Sequence, residues 1–188
     1  QQQRHRYSAI MVGVGTILSD DPLLSCRIVD GKNPFRIICD TNLRTPITAQ
    51  VVQTANRTPT IFAVCHADKE KLRAFEKASC HILRLDEKDG HVDLQQLMDA
   101  LGQNEIDSIL LEGGGTLNWT ALQSGIVNKV QAYIAPKLFG GQTAKTPIEG
   151  MGISSLSEAF QLRNSIITKL GEDFLIESEV ISNVYGNC

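Results

Sequence analysis

Two segments of the chain place groups that can bind or protonate a charged ligand directly after an apolar run. Residues 12–27 (VGVGTILSDDPLLSCR) carry the adjacent carboxylates Asp20 and Asp21, and residues 109–118 (ILLEGGGTLN) carry Glu112 before three glycines. Paired carboxylates at the end of a strand can orient a polar substrate or assist proton transfer. A glycine turn followed by a helix exposes backbone N–H groups that suit a phosphate. Because open α/β sheets bind ligands at the carboxyl ends of their strands, we predict that both segments border one crevice.

A third segment, residues 40–46 (DTNLRTP), also follows an apolar run, and its hydroxyls and Arg44 could meet a phosphate. Taken singly, each segment also fits an ordinary structural role. The glycines fit a plain strand-to-helix turn, the acidic residues before Pro22 fit turn chemistry, and residues 40–46 fit a capped loop. The fingerprint G-x-G-x-x-G is absent from the sequence, so the glycines alone do not identify a ligand.

The spacing of the histidines and cysteines predicts no metal site. No pair of cysteines has the C-x-x-C spacing, and the zinc-deaminase pattern of H-x-E followed by P-C-x-x-C is also absent. We expect buried, reduced thiols at the five cysteines, which are Cys26, Cys39, Cys65, Cys80 and Cys188. We expect structural or surface roles for the four histidines, which are His5, His66, His81 and His91. Trp119 follows the glycines within a helical pattern, and core packing is its expected role.

The elements that must position these groups follow from hydrophobic periodicity and from turn residues. Apolar or alternating runs predict strands at 7–14, 35–39, 60–64, 81–85, 108–111, 129–135, 160–170 and 173–180. Apolar residues at helical spacing predict helices at 68–77, 93–101 and 116–124. We expect a turn at Ser19–Pro22 and a long loop at Gly140–Ser155.

Alternation of strands and helices predicts an α/β fold with a mainly parallel central sheet and helices on both faces. The last two strands flank Gly171-Glu172 and predict a β-hairpin that adds an antiparallel edge to this sheet. No composition shift, linker or repeat divides the chain, so we predict that residues 1–188 form a single domain.

Composition excludes several classes of protein. The 188 residues are 42% hydrophobic and 21% charged, with a formal net charge of -3, as in an ordinary globular domain. This balance argues against nucleic-acid binding, and the apolar runs are too short for a membrane span. We expect a cytoplasmic protein, because no signal-peptide pattern is present. The sequence starts QQQRHR without Met, and we expect it to be a fragment or a trimmed chain.

In their order along the chain, these segments resemble the reductase domain of the bifunctional riboflavin-biosynthesis deaminase-reductase. The matching stretches are RHRYSAIMVGVGTILSDDPLLSCR, PFRIICDTNLRTP, SILLEGGGTLNWTALQSGIVNKVQAYIAPKLFGG and the hairpin through DFLIESEV. The combination of T-x-x-x-D-D-P-x-L-x-x-R with E-G-G-x-T-L is specific, and the resemblance covers nearly the whole chain.

The resemblance implies a dihydrofolate-reductase-like fold and NADPH as the cofactor. It implies reduction of 5-amino-6-(5-phosphoribosylamino)uracil to the ribitylamino phosphate, with a hydride delivered to C1 of the opened ribose. A homodimer is implied, as is a deaminase domain on the same full-length polypeptide. Three alternatives stay open: a non-catalytic nucleotide-binding remnant, a same-fold reductase that acts on the diaminopyrimidine before deamination, and, disfavoured by the T-L-N-W after the glycines, a folate reductase.

The resemblance also assigns candidate site residues. Candidate substrate-binding residues are Arg4, Leu24, Arg27 and Glu112, where the arginines suit the substrate phosphate and Glu112 suits the uracil N–H groups. Candidate cofactor-binding residues are Thr16, Asp20, Thr41, Gly114, Gly115, Thr116, Leu117, Asn118, Trp119 and Thr120. Asp20 is also the candidate catalytic residue, which would stabilise the developing iminium or protonate the ring oxygen. Thr41 with Arg44 is a candidate for the 2′-phosphate of NADPH.

One departure from the family pattern concerns the start of the chain. Family members begin this domain with a strand carrying S-x-D-G, then a Ser-Trp segment and a helix. This chain starts inside that helix, so we predict an N-terminally incomplete domain with an exposed sheet edge, reduced stability and impaired activity.

Overall fold

The protein is described here by a computed structural model that covers residues 1–141, 144 and 146–181. Cys188 therefore lies outside the described residues. The helices are α1 (Gln2–Arg6), α2 (Val14–Asp20), α3 (Gln50–Gln53), α4 (Lys69–Lys77), α5 (Leu94–Gln103) and α6 (Gly115–Gln123), and a 3₁₀ turn spans Leu156–Glu158. The strands are β1 (Ala9–Gly13), β2 (Phe35–Cys39), β3 (Thr60–Val64), β4 (His81–Arg84), β5 (Glu87–Lys88), β6 (His91–Val92), β7 (Ile109–Leu111), β8 (Lys129–Ile134), β9 (Leu162–Leu170) and β10 (Asp173–Val180).

Five parallel strands form the central sheet in the order β4-β3-β2-β1-β7. Successive residues of a strand face opposite sides of the sheet, and the core is divided accordingly. On one face, Ile38 and Phe62 pack with the apolar residues of α3 and α4. On the other face, Ile37 and Ile61 pack with those of α5 and α6. The predicted parallel sheet with helices on both faces is confirmed.

The C-terminal hairpin is confirmed, but its predicted place at an edge of the parallel sheet is wrong. Strands β9 and β10 pair with each other, and β10 pairs with β8, which gives a separate antiparallel sheet in the order β8-β10-β9. The physical reason is pairing length. β10 offers β8 partners along the whole of Lys129–Ile134, whereas β7, at the edge of the parallel sheet, is only three residues long.

The largest local difference from the sequence prediction is at residues 14–20. The expected strand to residue 14 and turn at Ser19–Pro22 are wrong: β1 ends at Gly13, and Val14–Asp20 form α2. Val14 and Ile17, three residues apart, are both buried, and this helical spacing stabilises the segment as a helix. Asp21 ends it in the left-handed conformation, with φ 39°.

Candidate active site

The three segments singled out by sequence all leave the same edge of the central sheet. Strands β2, β1 and β7 are parallel neighbours, so their carboxyl ends lie side by side. The loop at 40–46 follows β2, helix α2 follows β1, and the glycine turn follows β7. The backbone N–H of Glu112 donates to the carbonyl of Met11 at 3.0 Å, which ties the start of the glycine turn to β1.

Gly113 is closely packed at the turn before α6. A Cβ built on Gly113 would lie 2.9 Å from Cδ2 of Leu117, which is half-buried. Gly114 is the N-cap of α6, no side chain caps this helix end, and nothing lies within 4 Å of a Cβ built there. The first turn of α6 therefore leaves uncapped N–H groups beside open space, an arrangement that suits an anion.

The seven residues from Gly114 to Thr120 do not all face that open space. Gly114 and Thr116 are exposed, whereas Gly115 is buried. Asn118 uses its amide to donate to the carbonyl of Pro147 at 2.8 Å, and the hydroxyl of Thr120 donates to the carbonyl of Thr116 at 3.0 Å. Residues in the first turn of α6 are therefore accessible to a ligand, whereas Asn118 and Thr120 in the second turn make hydrogen bonds within the protein.

A strap formed by residues 146–150 lies over α6, and the sequence prediction of a long loop did not reveal this contact. The carbonyl of Pro147 accepts the Asn118 amide, and a Cβ built on Gly115 would lie 2.7 Å from Cδ of Glu149. Gly150, with φ +107°, lies against the Trp119 ring, where a Cβ would be 2.8 Å from Cγ. The Trp119 ring also meets Phe160 edge-on at 5.9 Å between centroids. The ring is half-buried and lies outside both core clusters, so the expected core packing is wrong.

The two adjacent carboxylates have different environments. Asp21 is structural: its Oδ1 accepts the backbone N–H of Gln50 at 2.8 Å, and its carbonyl accepts the Gln50 side-chain amide. Asp20, the last residue of α2, is exposed, and its carboxylate receives no hydrogen bond from the described residues. Thr16 is half-buried on the same helix. Of the pair, Asp20 is thus the carboxylate that a ligand can reach.

Two of the four candidate substrate residues, Arg4 and Glu112, are in direct contact. The Nε and NH2 of Arg4 donate to the two carboxylate oxygens of Glu112 at 3.2 and 2.6 Å, and its NH1 donates to the carbonyl of Ser25 at 3.2 Å. Arg27 follows Ser25 by two residues and is exposed. Three of the five N–H groups of Arg4 are used, which leaves two for a ligand.

Leu24 lies in the same segment, but its side chain does not reach solvent. It is 2% exposed and belongs to the core cluster beneath α3. Its backbone has φ +52°, a left-handed conformation that is uncommon for a residue with a branched side chain. Any contact of Leu24 with a ligand therefore falls to its main chain.

The loop at 40–46 is ordered by a buried carboxylate. Asp40 is 0% exposed and accepts the N–H groups of Arg44 and Thr45 at 2.8 Å each, together with the Thr45 hydroxyl at 2.7 Å. The carbonyl of Thr41 accepts the N–H groups of Cys65 and His66, which joins this loop to the end of β3. The Arg44 side chain remains exposed.

A cleft of about 570 Å³, which sequence reasoning missed, lies next to this loop at the ends of β2, β3 and β4. His66, expected to be structural or on the surface, is exposed there and pairs with Glu87 at 2.6 Å. Hydrophobic periodicity carries no signal for the cleft, because the residues that line it come from three separate strand ends. They are Asn42, Cys65, His66, Ala67, Asp68 and Arg84.

The thiols of the described residues fit the expected reduced state, but the expected burial holds only for Cys80, because Cys26, Cys39 and Cys65 are partly exposed. Cys26, Cys39, Cys65 and Cys80 are all free. Burial raises the pKa of Cys39 to about 12, aided by the charges of Asp40 and Cys65. Among the described residues no group of three or more His, Cys, Asp or Glu side chains could hold a metal ion. No described helix is long and apolar enough to cross a membrane.

The family model of the RibD C-terminal domain matches residues 1–176. The chain is 49% identical over 182 residues to the riboflavin biosynthesis protein RibD of Actinobacillus pleuropneumoniae, covering 97% of this chain and 48% of that protein. It is 35% identical over 181 residues to the 2,5-diamino-6-ribosylamino-4(3H)-pyrimidinone 5′-phosphate reductase of Methanothermobacter thermautotrophicus, covering 94% and 82%. The chain thus spans about half the length of the RibD relative and most of the length of the reductase.

Solved structures confirm the expected dihydrofolate-reductase-like α/β fold. RibD of Acinetobacter baumannii superposes with a TM-score of 0.80 at 22% identity, over 95% of this chain and 48% of that one. The riboflavin biosynthesis reductase Rib7 of Saccharomyces cerevisia superposes with a TM-score of 0.69, also at 22% identity, over 94% and 77%. Through its match over residues 1–176 and its identity to these relatives, the chain belongs to the RibD C-terminal domain family.

Proposed function

We propose that this domain is an NADPH-dependent reductase of 5-amino-6-(5-phosphoribosylamino)uracil in riboflavin biosynthesis. The observation that carries the proposal is the convergence of Arg4, Glu112 and the Ser25–Arg27 segment beside the glycine turn. This arrangement joins a cation, a carboxylate and an anion-binding helix end within one edge of the sheet. A phosphorylated pyrimidine beside a dinucleotide needs these three features.

The residues present fit NADPH. The uncapped first turn of α6, with open space at Gly114, suits a diphosphate, while the Glu149 side chain lies over Gly115 and limits approach from that side. Thr16 and Thr41 lie after the neighbouring strands β1 and β2 and would line the cofactor along the sheet edge. When bound, the cofactor supplies the hydride, and the domain supplies orientation and charge placement.

The substrate side is built from the Arg4 cluster. The two N–H groups that Arg4 keeps available, with the exposed Arg27, would hold the phosphate of the substrate. Glu112 fixes the orientation of Arg4 and, 36% exposed, can also accept hydrogen bonds from the pyrimidine. Asp20 would face the ribose, where its carboxylate stabilises positive charge that develops at C1.

The test follows the absorbance of NADPH with and without the pyrimidine. We expect substrate-dependent oxidation of NADPH, and we expect Asp20→Asn to lower kcat by about 100-fold with intact folding, as for loss of a charge-stabilising or proton-transferring group. Unaltered turnover in Asp20→Asn would remove the role of Asp20. Cofactor binding without any oxidation would instead support a non-catalytic nucleotide-binding remnant.

A second candidate substrate is the diaminopyrimidine before deamination. The chain covers 82% of a relative that is 35% identical and is named a reductase of that compound. Comparing kcat/KM for the two pyrimidines decides between them. We expect the deaminated uracil to be preferred, and a preference for the diaminopyrimidine would overturn that part of the proposal.

The full-length polypeptide is proposed to carry a deaminase domain as well. The support is the coverage of RibD relatives, of which this chain spans about half. A cytoplasmic location is part of the proposal, supported by four free thiols among the described residues.

A homodimer is proposed from the exposed hairpin. All nine residues of β9 are exposed, including Ile166 and Ile167, which point to opposite faces. In the described residues β9 pairs only with β10, so its outer edge offers unpaired N–H and carbonyl groups. We propose that β9 of a second copy pairs with this edge, because antiparallel pairing about a two-fold axis gives the N–H and carbonyl groups of both β9 edges hydrogen-bond partners.

A further inference from the structure

Arg36 is a buried cation that the proposed chemistry does not use. It lies on β2, is 1% exposed and receives no carboxylate from the described residues. Desolvation lowers its pKa to about 10, and the nearby Cys80 partly opposes that shift. A buried charge of this kind is stable only when its hydrogen-bonding groups are satisfied.

The guanidinium of Arg36 is fully satisfied by neutral oxygens. Its Nε donates one hydrogen bond, and NH1 and NH2 donate two each, so all five N–H groups of the guanidinium have an acceptor. The acceptors are the Thr60 hydroxyl at 2.9 Å, the Leu23 carbonyl at 3.2 Å, the Thr54 hydroxyl at 2.8 Å, the Val51 carbonyl at 3.0 Å and the Thr58 carbonyl at 2.7 Å.

These acceptors belong to three separate segments. Val51 lies in α3 and Thr54 directly after it. Thr58 precedes β3 and Thr60 is its first residue, and Leu23 lies in the loop between α2 and β2. Only the last of these segments carries candidate substrate residues. It has no regular secondary structure, and three of its residues, Asp21, Leu24 and Asp30, have positive φ.

The same loop is held from the opposite side by the candidate site. The Leu23 carbonyl accepts from Arg36 in the core, and the Ser25 carbonyl, two residues later, accepts from Arg4, which also binds Glu112. A chain of contacts therefore runs from the buried guanidinium through Leu23–Ser25 to the Arg4–Glu112 pair. Since residues in left-handed conformations persist only where their surroundings fix them, the loop depends on both anchors.

We propose that Arg36 is a positioning residue that fixes the Asp20–Arg27 segment for substrate binding. This inference rests on the proposed function for the identity of the substrate. A lysine at this position would present three donors as a point charge and would not serve five acceptors in one plane. Arg36 therefore acts through the loop, and it does not itself contact the ligand.

The experiment compares Arg36→Lys with Leu97→Ala, a matched control that weakens the core on the opposite face of the sheet. Hydrogen–deuterium exchange of the peptide covering residues 20–27 is the first readout, and it needs no activity. We expect exchange there to rise about tenfold in Arg36→Lys, because the Leu23 anchor is lost. In Leu97→Ala we expect faster exchange in α5 and none of this change at 20–27.

Steady-state kinetics give the second readout. We expect Arg36→Lys to raise KM for the pyrimidine about tenfold while KM for NADPH changes less than about twofold. We expect Leu97→Ala to change the KM for the pyrimidine and the KM for NADPH by the same factor. Unchanged exchange at 20–27 in a folded Arg36→Lys protein, or equal changes in both KM values, overturns the inference. If the wild-type protein does not reduce the pyrimidine, the proposed function fails and the exchange measurement still decides the role of Arg36.

Thr54→Val covers the case in which Arg36→Lys does not fold cooperatively. This change removes one acceptor of NH1, the nitrogen that also binds Leu23, and leaves the charge in place. A smaller rise in exchange confined to residues 20–27 and the residues around position 54 supports the inference. A rise spread over the whole domain contradicts it.

Discussion

At the scale of single residues, buried polar groups shape the loops from which the candidate site is built. Asp40 turns the chain after β2 by accepting three hydrogen bonds from residues 44 and 45, so the exposed Arg44 is held on a rigid loop. Arg36 does the same for the loop after α2. In both cases a group without solvent access orders exposed residues beside it, because a buried charge must keep its partners.

A charge reversal at Arg44 tests where the 2′-phosphate of NADPH binds. We expect Arg44→Glu to raise KM for NADPH about tenfold, through loss of a charge-assisted contact, and to change KM for NADH less than about twofold. Arg57→Glu, which makes the same charge change at an exposed turn, is the control. Equal weakening of both cofactors dismisses Arg44, and a selective effect of Arg84→Glu instead assigns the phosphate to the cleft beside Asn42.

The raised pKa values of two thiols predict a pH dependence of stability. Burial raises the pKa of Cys39 to about 12 and that of Cys80 to about 11, so both stay protonated at neutral pH. A raised thiol pKa contributes stability that is fully present below the ordinary value of about 8.5 and is lost as the pH rises toward these values. The folded protein should therefore lose stability in alkaline solution.

Alkylation with iodoacetamide at about pH 8, a value near the ordinary thiol pKa, checks whether these two thiols stay protonated and protected in the native protein. Mass spectrometry should find Cys39 and Cys80 unlabelled in the native protein and labelled after unfolding in denaturant. Rapid native labelling of Cys80, which is buried, would contradict this expectation.

At the scale of elements, two glycines differ in the space around them: Gly113, in the turn before α6, is closely packed, and Gly102, in α5, is not. Gly113 has the Leu117 side chain 2.9 Å from the place where a Cβ would lie, whereas nothing lies within 4 Å of a Cβ on Gly102 in α5. We therefore expect replacement by alanine to lower the free energy of unfolding at Gly113 and to raise it at Gly102.

Thermal or chemical unfolding of two alanine variants checks this contrast. We expect Gly113→Ala to lower the free energy of unfolding by about 1–3 kcal/mol through overpacking, and to weaken NADPH binding by moving α6. Gly102→Ala should raise the free energy of unfolding by about 0.5–1 kcal/mol, because alanine favours a helix. A stabilised Gly113→Ala variant would show that the turn tolerates a side chain.

At the scale of the whole molecule, the two sheets differ in what they expose. The parallel sheet brings the candidate site residues to one edge, and the antiparallel sheet presents an apolar surface with Ile166 and Ile167 about two-thirds exposed. Exposed apolar residues on both faces of a long hairpin are costly in water, which supports the proposed contact with a second copy.

Sedimentation velocity tests the proposed dimer. We expect a dimer at micromolar concentration for the wild-type chain and a monomer for Ile166→Lys or Ile167→Lys, because a buried lysine at the interface is unpaired. Val29→Lys, at a residue that is 87% exposed outside the hairpin, should stay dimeric. A monomeric wild-type chain would contradict the proposal.

The sequence by itself determined most elements of the fold and the order of the candidate site segments. Buried strands such as 35–39 and 60–64 lie where apolar runs predict them, and α5 follows its i, i+3, i+4, i+7 pattern. These features depend on neighbouring residues along the chain, so local periodicity is enough to find them. The resemblance in motifs then indicated the family.

Only the tertiary structure decided which distant groups meet. Arg4 pairs with Glu112 across 108 positions, residues 146–150 lie on α6, and β8 joins the hairpin and not the parallel sheet. The sequence predicted only that Arg36 lies in a strand, yet its guanidinium donates to five acceptors in three segments. Such contacts depend on strand order and on the packing of separate elements, and the local hydrophobic pattern of each element is compatible with several pairings.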